Sequence, residues 1–170
     1  CELSIVDRKG NWVQMMETGG GGIPGIVVDG VPGSGIGWER YALVEPGGRT
    51  QHAIANTIVA RDGEPWMGLG SPGDCIFTVP QVLYSILEHG WDHYRAIDAP
   101  RFWPIRDDWT LEVENRISLD VVRDLKKMGI MPRPLGEYHW PMGSMQTVWQ
   151  EKDILKGTAD PRRLGVALGY

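Results

Sequence analysis

Short β-type runs joined by tight-turn residues dominate this sequence of 170 residues. The dipeptide Asp62-Gly63, a preferred two-residue hairpin turn, separates a run at residues 53–61 from a second run at residues 65–69. Other strands are predicted at residues 2–6, 12–18, 111–114, 145–150 and 154–157. The first two and the last two of these are also separated by turn residues, so the pattern predicts hairpins at both ends of the chain.

Two segments have helical rather than β periodicity. Residues 76–89 place five apolar side chains on one helix face: Val79, Val82, Leu83, Ile86 and Leu87. Residues 118–128 form a second predicted helix, with Ser118 as the N-cap and Gly129 closing the last turn. The order is β-β, loop, β-β-α, β-α, β-β, which indicates an α+β layered domain with largely antiparallel strands. No internal repeat or boundary is visible, so residues 1–170 are predicted to be a single domain.

Charge and composition argue against several classes of partner. The net charge is −5 and no basic run is present that could neutralise phosphates, which argues weakly against a nucleic-acid partner. No apolar stretch approaches the ~20 residues of a membrane-spanning helix. Cys1 and Cys75 are too few for a disulfide framework, and the histidines are scattered, so no metal site and no cofactor are predicted. The compartment is left open.

Two glycine-rich segments are predicted to form ordered loops. Residues 19–37 contain nine glycines and two prolines, but the apolar residues within them favour tight turns over a flexible linker. Residues 70–74 connect a strand to the helix that begins near residue 76. A glycine-rich turn before a helix N-terminus suits an anion, because backbone N–H groups there lack partners within the helix.

The sequence resembles the small subunit of the γ-glutamyltransferases. The matching phrases occur in order over nearly the whole chain: Ser4-Ile5-Val6-Asp7, Gly10-Asn11, Gly33-Ser34-Gly35-Ile36, Asn56-Thr57-Ile58-Val59, Asp62-Gly63, Gly70-Ser71-Pro72-Gly73, Ala99-Pro100-Arg101-Phe102, Asp160-Pro161-Arg162 and Gly169-Tyr170. The resemblance implies a four-layer αββα N-terminal-nucleophile hydrolase sandwich. It also implies that a separate large subunit, produced when one precursor cleaves itself, completes this sandwich. Pairing of two such αβ units is left open.

The resemblance also implies a mechanism in which the first residue of the small subunit attacks an amide carbonyl. Its own α-amine takes the proton, and α-amines titrate at ~8, so such a group serves as a base near neutrality. Counting back from Ser4 places the family's nucleophilic Thr one position before Cys1. Either a Thr precedes Cys1 or Cys1 itself attacks, since a thiolate is a strong nucleophile. Thr18 matches the family Thr that hydrogen-bonds the nucleophile.

Gly73 and Asp74 match the Gly-Gly pair that forms the oxyanion hole of the family. Only backbone N–H groups are needed there, so an aspartate in the second place is compatible with the role. The Asp74 side chain is expected to point away and cap the following helix. Arg101 and Arg162 are expected to form salt bridges that hold loops.

The segments that bind the amino-acid head group in the family differ here. The Ser-Ser pair is replaced by His52-Ala53, and the Asn-Asn-x-Met-Asp-Asp-Phe segment by residues 38–43. We therefore expect an amidohydrolase that acts on a small amide other than a γ-glutamyl compound. The candidate substrate-binding residues are Trp38, Arg40, Tyr41, His52 and Ala53, with Arg49 as another anchor for a lone carboxylate. Two alternatives stay open: a catalytically retired homologue that binds or assembles, and a true γ-glutamyl acyltransferase with altered head-group contacts.

Overall fold

The computed structural model describes residues 1–17, 27–29, 31–32, 46–47, 54–104 and 110–169. Eleven strands lie within these ranges: β1 Glu2–Val6, β2 Trp12–Met16, β3 Val27–Val28, β4 Val31–Pro32, β5 Thr57–Arg61, β6 Glu64–Gly70, β7 Phe102–Pro104, β8 Thr110–Glu114, β9 Met131–Leu135, β10 Gln146–Glu151 and β11 Ile154–Ala159. Three α-helices, α1 Cys75–Leu87, α2 His93–Asp98 and α3 Leu119–Lys127, accompany a short 3-10 helix at Trp140–Met142.

A four-stranded antiparallel sheet in the order β11-β10-β6-β5 carries the candidate site. The β5–β6 turn uses the predicted dipeptide: Asp62 and Gly63 both have positive φ, at 54° and 87°, as a primed hairpin turn requires. The final hairpin, β10–β11, is also confirmed. Strand β5 is shorter than predicted: it begins at Thr57, whereas the sequence predicted a start at residue 53.

The hairpin β1–β2 packs on one face of this sheet with its polar side chains inward. A Cβ at Gly70 would meet the Glu2 carboxylate, and a Cβ at Gly68 would meet the Gln14 amide. Ser4 Oγ donates to Gln14 Oε1 at 2.8 Å and also contacts the Gln146 carbonyl oxygen at 3.1 Å. Polar side chains therefore lie between hairpin and sheet, and the glycines of β6 make room for Glu2 and Gln14. Val6, Trp12 and Met16 lie on the same face of the hairpin.

The opposite face of the sheet carries the hydrophobic core. The core contains Met67, Leu69, Cys75, Val79, Val82, Ile86, Ala96, Ile97, Met145 and Trp149. Burial of a side chain such as Met67 or Leu69, both fully enclosed, contributes about 1.5–3 kcal/mol. The predicted face of α1 is confirmed except at Leu87, which is half-exposed because the helix ends there. Helix α2, which the sequence did not predict, adds Ala96 and Ile97.

A third sheet, in the order β7-β8-β9, stands beside the core. Strand β8 was predicted, whereas β7 and β9 were not. Strands β8 and β9 are parallel, and α3 connects them, while every other strand pair among the described residues is antiparallel. The largely antiparallel α+β fold is therefore confirmed. Helix α3 has its predicted cap, since Ser118 Oγ accepts from the Val121 N–H.

A buried ionic network joins these layers. The Glu114 carboxylate accepts from Arg162 Nε at 2.7 Å and from Arg162 Nη2 at 2.5 Å. Asp160 accepts from Arg101 Nη2 and, at 3.1 Å, from Arg162 Nη1. All four side chains are buried, so the prediction that Arg101 and Arg162 hold loops through salt bridges is confirmed.

Most of the glycine-rich segment at residues 19–37 lies outside the described residues. Within it, Val27–Val28 pairs antiparallel with Val31–Pro32, and Asp29 has φ of 50°. This one turn agrees with the expectation of tight turns. The predicted strand at residues 12–18 extends to Met16 in the structure.

Candidate functional site at the N-terminal edge

The N-terminus lies at the open end of the first hairpin. Cys1 is exposed, its amine donates to the Glu17 carbonyl oxygen at 2.8 Å, and the Glu17 N–H donates to the Cys1 carbonyl oxygen at 3.1 Å. These two bonds continue the ladder that pairs Glu2 with Met16. The hairpin thus returns the chain to the first residue one position before Thr18, which itself lies outside the described residues.

Glu2 connects the N-terminus to the end of β6. Its carboxylate fills the space beside Gly70 and accepts from Asn56 Nδ2, 3.2 Å from each oxygen. Burial raises the pKa of the Glu2 carboxyl to about 7, although the Asn56 hydrogen bond and the N-terminal amine both act to lower it. Asn56 Oδ1 is buried and has no hydrogen-bond partner in the described part of the chain. The sequence analysis did not identify this pair.

The turn after β6 exposes one backbone donor and engages the next. Gly73 is exposed with φ of 84°, and its N–H has no acceptor among the residues that the structure describes. The Asp74 N–H donates to the Pro141 carbonyl oxygen at 3.1 Å. An oxyanion at this turn would therefore find the Gly73 N–H free and the Asp74 N–H already bonded.

The Asp74 side chain caps α1, as predicted. Its Oδ1 accepts from the Phe77 N–H at 3.4 Å, and burial raises the pKa of its carboxyl above the usual range. The next residue, Cys75, is a core residue, and burial raises the pKa of its thiol as well. A buried thiol with a raised pKa is a poor nucleophile. Of the two cysteines, Cys1 is the one that is exposed.

Residues 140–144 form hydrogen bonds with residues on both sides of Gly73 in the sequence. The Ser144 N–H donates to Ser71 Oγ at 2.8 Å, and Thr78 Oγ1 donates to the Met142 carbonyl oxygen at 2.5 Å. A Cβ at Gly73 would meet the Arg163 guanidinium, which donates to the Trp140 carbonyl oxygen. Arg163 was not singled out from sequence. It follows the Asp160-Pro161-Arg162 phrase, and nothing in its spacing indicated contact with Gly73.

Of the predicted site residues, the structure describes Cys1, Gly73 and Asp74. Cys1 directly precedes Glu2, and Gly73 follows Gly70 by three positions, while Glu2 and Gly70 are the two residues that meet. The other candidates lie outside the described residues: Thr18, Trp38, Arg40, Tyr41, Arg49, His52 and Ala53. Asn56, three positions after Ala53, is described and contacts Glu2 at this edge.

Among the described residues, no group of three or more His, Cys, Asp or Glu side chains could hold a metal ion. None of the described helices is long and apolar enough to cross a membrane.

The layered α+β fold, with the first hairpin packed on the four-stranded sheet and the N-terminus at the edge of that contact, defines an N-terminal-nucleophile hydrolase fold. A family model described as gamma-glutamyltranspeptidase matches residues 1–170. The chain belongs to the gamma-glutamyltranspeptidase family. A solved structure of gamma-glutamyltranspeptidase from Pseudomonas nitroreducens, complexed with L-DON, superposes with a TM-score of 0.75 at 26% identity, covering 99% of this chain and 98% of that chain.

Several curated relatives are at least 30% identical, and two of them are proenzymes from Escherichia coli and Bacillus subtilis. The glutathione hydrolase proenzyme of Escherichia coli (strain K12) is 33% identical over 142 residues, covering 79% of this chain and 23% of that protein. The glutathione hydrolase-like YwrD proenzyme of Bacillus subtilis (strain 168) is 30% identical over 134 residues, covering 74% and 25%. The chain thus spans about a quarter of the length of these relatives.

Proposed function

We propose that this chain is the nucleophile-bearing part of an amidohydrolase that forms an acyl-enzyme at its N-terminus. The nucleophile is Cys1 or a Thr directly before it. The observation that carries the proposal is the meeting of the first strand with the Gly70–Gly73 turn, where Glu2 occupies the space that Gly70 leaves. Gly73 follows Gly70 by three positions, and its N–H has no acceptor among the described residues, which supports its role as the oxyanion donor.

The reaction proceeds in two steps at this edge. In the first step the nucleophile attacks the amide carbonyl, its proton passes to the α-amine, and the Gly73 N–H donates to the developing oxyanion. The tetrahedral intermediate expels the amine, which leaves with that proton, and an acyl-enzyme results. In the second step water attacks the acyl-enzyme and gives one proton to the α-amine. The intermediate then expels the nucleophile, which takes this proton back from the α-amine, and the carboxylic acid is released.

We propose a small amide without a γ-glutamyl head group as the substrate. The support is the replacement of the family's head-group segments by His52-Ala53 and residues 38–43.

We propose that a larger subunit from the same precursor completes the molecule. The outer face of the first hairpin carries Leu3, Ile5, Val13 and Met15, each between 45% and 48% exposed. The inner face is half-buried and mixes polar with apolar side chains. A strand pair with its apolar residues outward needs a further layer over them. The curated relatives, of which this chain spans about a quarter, are named as proenzymes.

A panel of p-nitroanilides tests the proposed substrate class. The purified full protein should hydrolyse an uncharged acyl anilide with kcat/KM at least tenfold above that for γ-glutamyl-p-nitroanilide. The converse preference would replace the proposal by a γ-glutamyl acyltransferase with altered contacts.

One observation favours the second candidate, a catalytically retired homologue. The Asp74 N–H is bonded to the Pro141 carbonyl oxygen, so one of the two expected oxyanion donors is engaged. If this candidate is correct, the same panel shows no turnover and the N-terminus stays unlabelled by an acylating reagent.

A further inference from the structure

Two adjacent arginines near the end of the described chain have different surroundings. Arg162 is buried in the ionic network, whereas Arg163 is only partly buried and reaches the turn at Gly73. Both hydrogen bonds that the Arg163 side chain makes to the described residues end on one atom, the Trp140 carbonyl oxygen, with Nε at 3.2 Å and Nη2 at 3.1 Å. The ionic network therefore does not account for Arg163, and its contacts point to the Gly73 turn instead.

The Arg163 guanidinium lies on the side of Gly73 opposite to the Gly73 N–H. Its Nη2 is 2.5 Å from the point where a Cβ of Gly73 would stand, and the Pro141 carbonyl oxygen is 3.2 Å from that point. Because Gly73 has φ of 84°, this point lies on the side of the preceding carbonyl group, and the N–H of a trans peptide points the other way. Both groups therefore support the turn without standing in front of its N–H.

A chain of hydrogen bonds connects Arg163 to the backbone of the same turn. Arg163 donates to the carbonyl group that precedes Pro141, and the Pro141 carbonyl oxygen accepts from the Asp74 N–H at 3.1 Å. The Gly73 carbonyl oxygen accepts from the Cys75 N–H at 3.0 Å. The peptide group between Gly73 and Asp74 is thus held at both its oxygen and its N–H, which fixes the orientation of the turn.

The other anchors of the Pro141 segment lie on either side of the Arg163 contact. The His139 N–H and the Met142 carbonyl oxygen each bond to side chains that are buried. Between these two positions, Arg163 is the one side chain in the described part of the molecule that bonds to the Trp140 carbonyl oxygen. Loss of the Arg163 side chain should therefore loosen the backbone at Trp140 without unfolding the segment.

We propose that Arg163 is a positioning residue for the oxyanion turn. It holds the Trp140 carbonyl group, and with it the Pro141 carbonyl group, against the turn, and so keeps the Gly73 N–H directed at the oxyanion. A donor that is already in place stabilises the transition state more than the bound substrate, so Arg163 acts on kcat rather than on KM. This inference rests on the proposed amidase reaction, and it gives Arg163 no contact with the substrate.

Steady-state kinetics of the purified full protein, with the p-nitroanilide that it hydrolyses fastest, test the proposal. Arg163→Ala should lower kcat by about tenfold and leave KM within about twofold, because the Gly73 N–H remains but is less well directed. Arg163→Lys should keep kcat within about threefold, since an ammonium group can donate to the same carbonyl oxygen. Arg95→Ala on α2 is the matched control, because it also removes a guanidinium that lies over a tryptophan ring, at 4.1 Å from Trp91, and kcat should not change.

Hydrogen exchange at single-residue resolution tests the same contact without a substrate. The Asp74 amide, which is bonded to Pro141, should exchange several-fold faster in Arg163→Ala and at the unaltered rate in Arg95→Ala. The inference is overturned if Asp74 exchange is the same in all variants, or if Arg163→Ala raises KM instead of lowering kcat, as a direct substrate contact would. Absence of turnover in the unaltered protein overturns the amidase proposal and the catalytic role of Arg163 together, whereas turnover with unchanged Asp74 exchange overturns only the role of Arg163.

Discussion

Glu2 makes the stability of the protein depend on pH. Its pKa is about 7 in the folded chain against 4.5 for an ordinary glutamate, so the folded state binds the proton more tightly than the unfolded state. The stability that this difference supplies is fully present below pH 4.5 and is lost as the pH rises through about 7. Ionised Glu2 is therefore a destabilising group at pH 8.

The Glu2→Gln variant should remove this dependence. At pH 8 we expect it to be more stable by on the order of 1 kcal/mol, a value reduced for solvent screening because Glu2 is only half-buried. That gain corresponds to a rise of about 2–4 °C in the melting temperature. Thermal unfolding at pH 5 and pH 8 measures it. Glu64→Gln, exposed at the other end of β6, should leave the pH dependence unchanged, and the account is contradicted if the two variants behave alike.

Gly73 provides the second prediction at this scale. Gly73→Ala adds a Cβ at a φ of 84° and against the Arg163 guanidinium, so the turn must shift and carry its N–H away from the oxyanion. We expect kcat to fall by about 100-fold with little change in KM. Gly129→Ala is the control, because Gly129 has nearly the same φ, 82°, but open space around it. An equal loss of kcat in both variants would mean that strain alone was responsible.

At the scale of elements, Glu114 at the end of β8 joins several loops. It accepts from Arg162, from the Arg101 N–H at 3.0 Å and from the His139 N–H at 2.8 Å. The Glu114→Gln variant leaves Arg162 without this partner and should cost about 3–5 kcal/mol of stability. Urea unfolding measures the loss. Asp120→Asn breaks an exposed pair on α3 and should cost less than about 1 kcal/mol, and comparable losses would contradict the account.

An element could be predicted from the sequence where its turn or capping residues are adjacent in the chain. The hairpin at Asp62-Gly63 and the caps Asp74 and Ser118 were predicted, because each depends on a few adjacent residues. Helix α2 was missed, since six residues are too few to show helical periodicity. Strand β9 was missed because Pro132 and Pro134 usually exclude a strand, and they are tolerated here at the edge of the third sheet.

The candidate site was predictable only in part, for a physical reason. The alternation in β1 indicated a strand but not which of its faces points at the sheet. The face with Glu2 and, on β2, Gln14 points inward, because Gly68 and Gly70 leave space for these two side chains. These contacts join residues 54 or more positions apart in sequence. The positions of Glu2, Asn56 and Arg163 at the site therefore depend on how the layers pack and could not be predicted from the sequence.

For the whole molecule, the outward apolar face of the first hairpin should bind the larger subunit. Ile5→Asp places a charge in the middle of that face and should prevent the two parts from eluting together in size-exclusion chromatography. Val121→Asp, at a similarly exposed position on α3, is the matched control and should leave co-elution intact. Co-elution that survives Ile5→Asp would place the interface elsewhere.

The most direct test of the central claim is to locate the acyl group on the protein. The purified protein is treated with a reactive acyl reagent, and its intact mass and N-terminal peptides are determined by mass spectrometry. The account predicts one added acyl group, on Cys1 or on a Thr directly before it, with Cys75→Ala labelling like the unaltered protein. An uncut precursor, or a processed chain whose first residues never gain the acyl group, would contradict the account and favour the retired homologue.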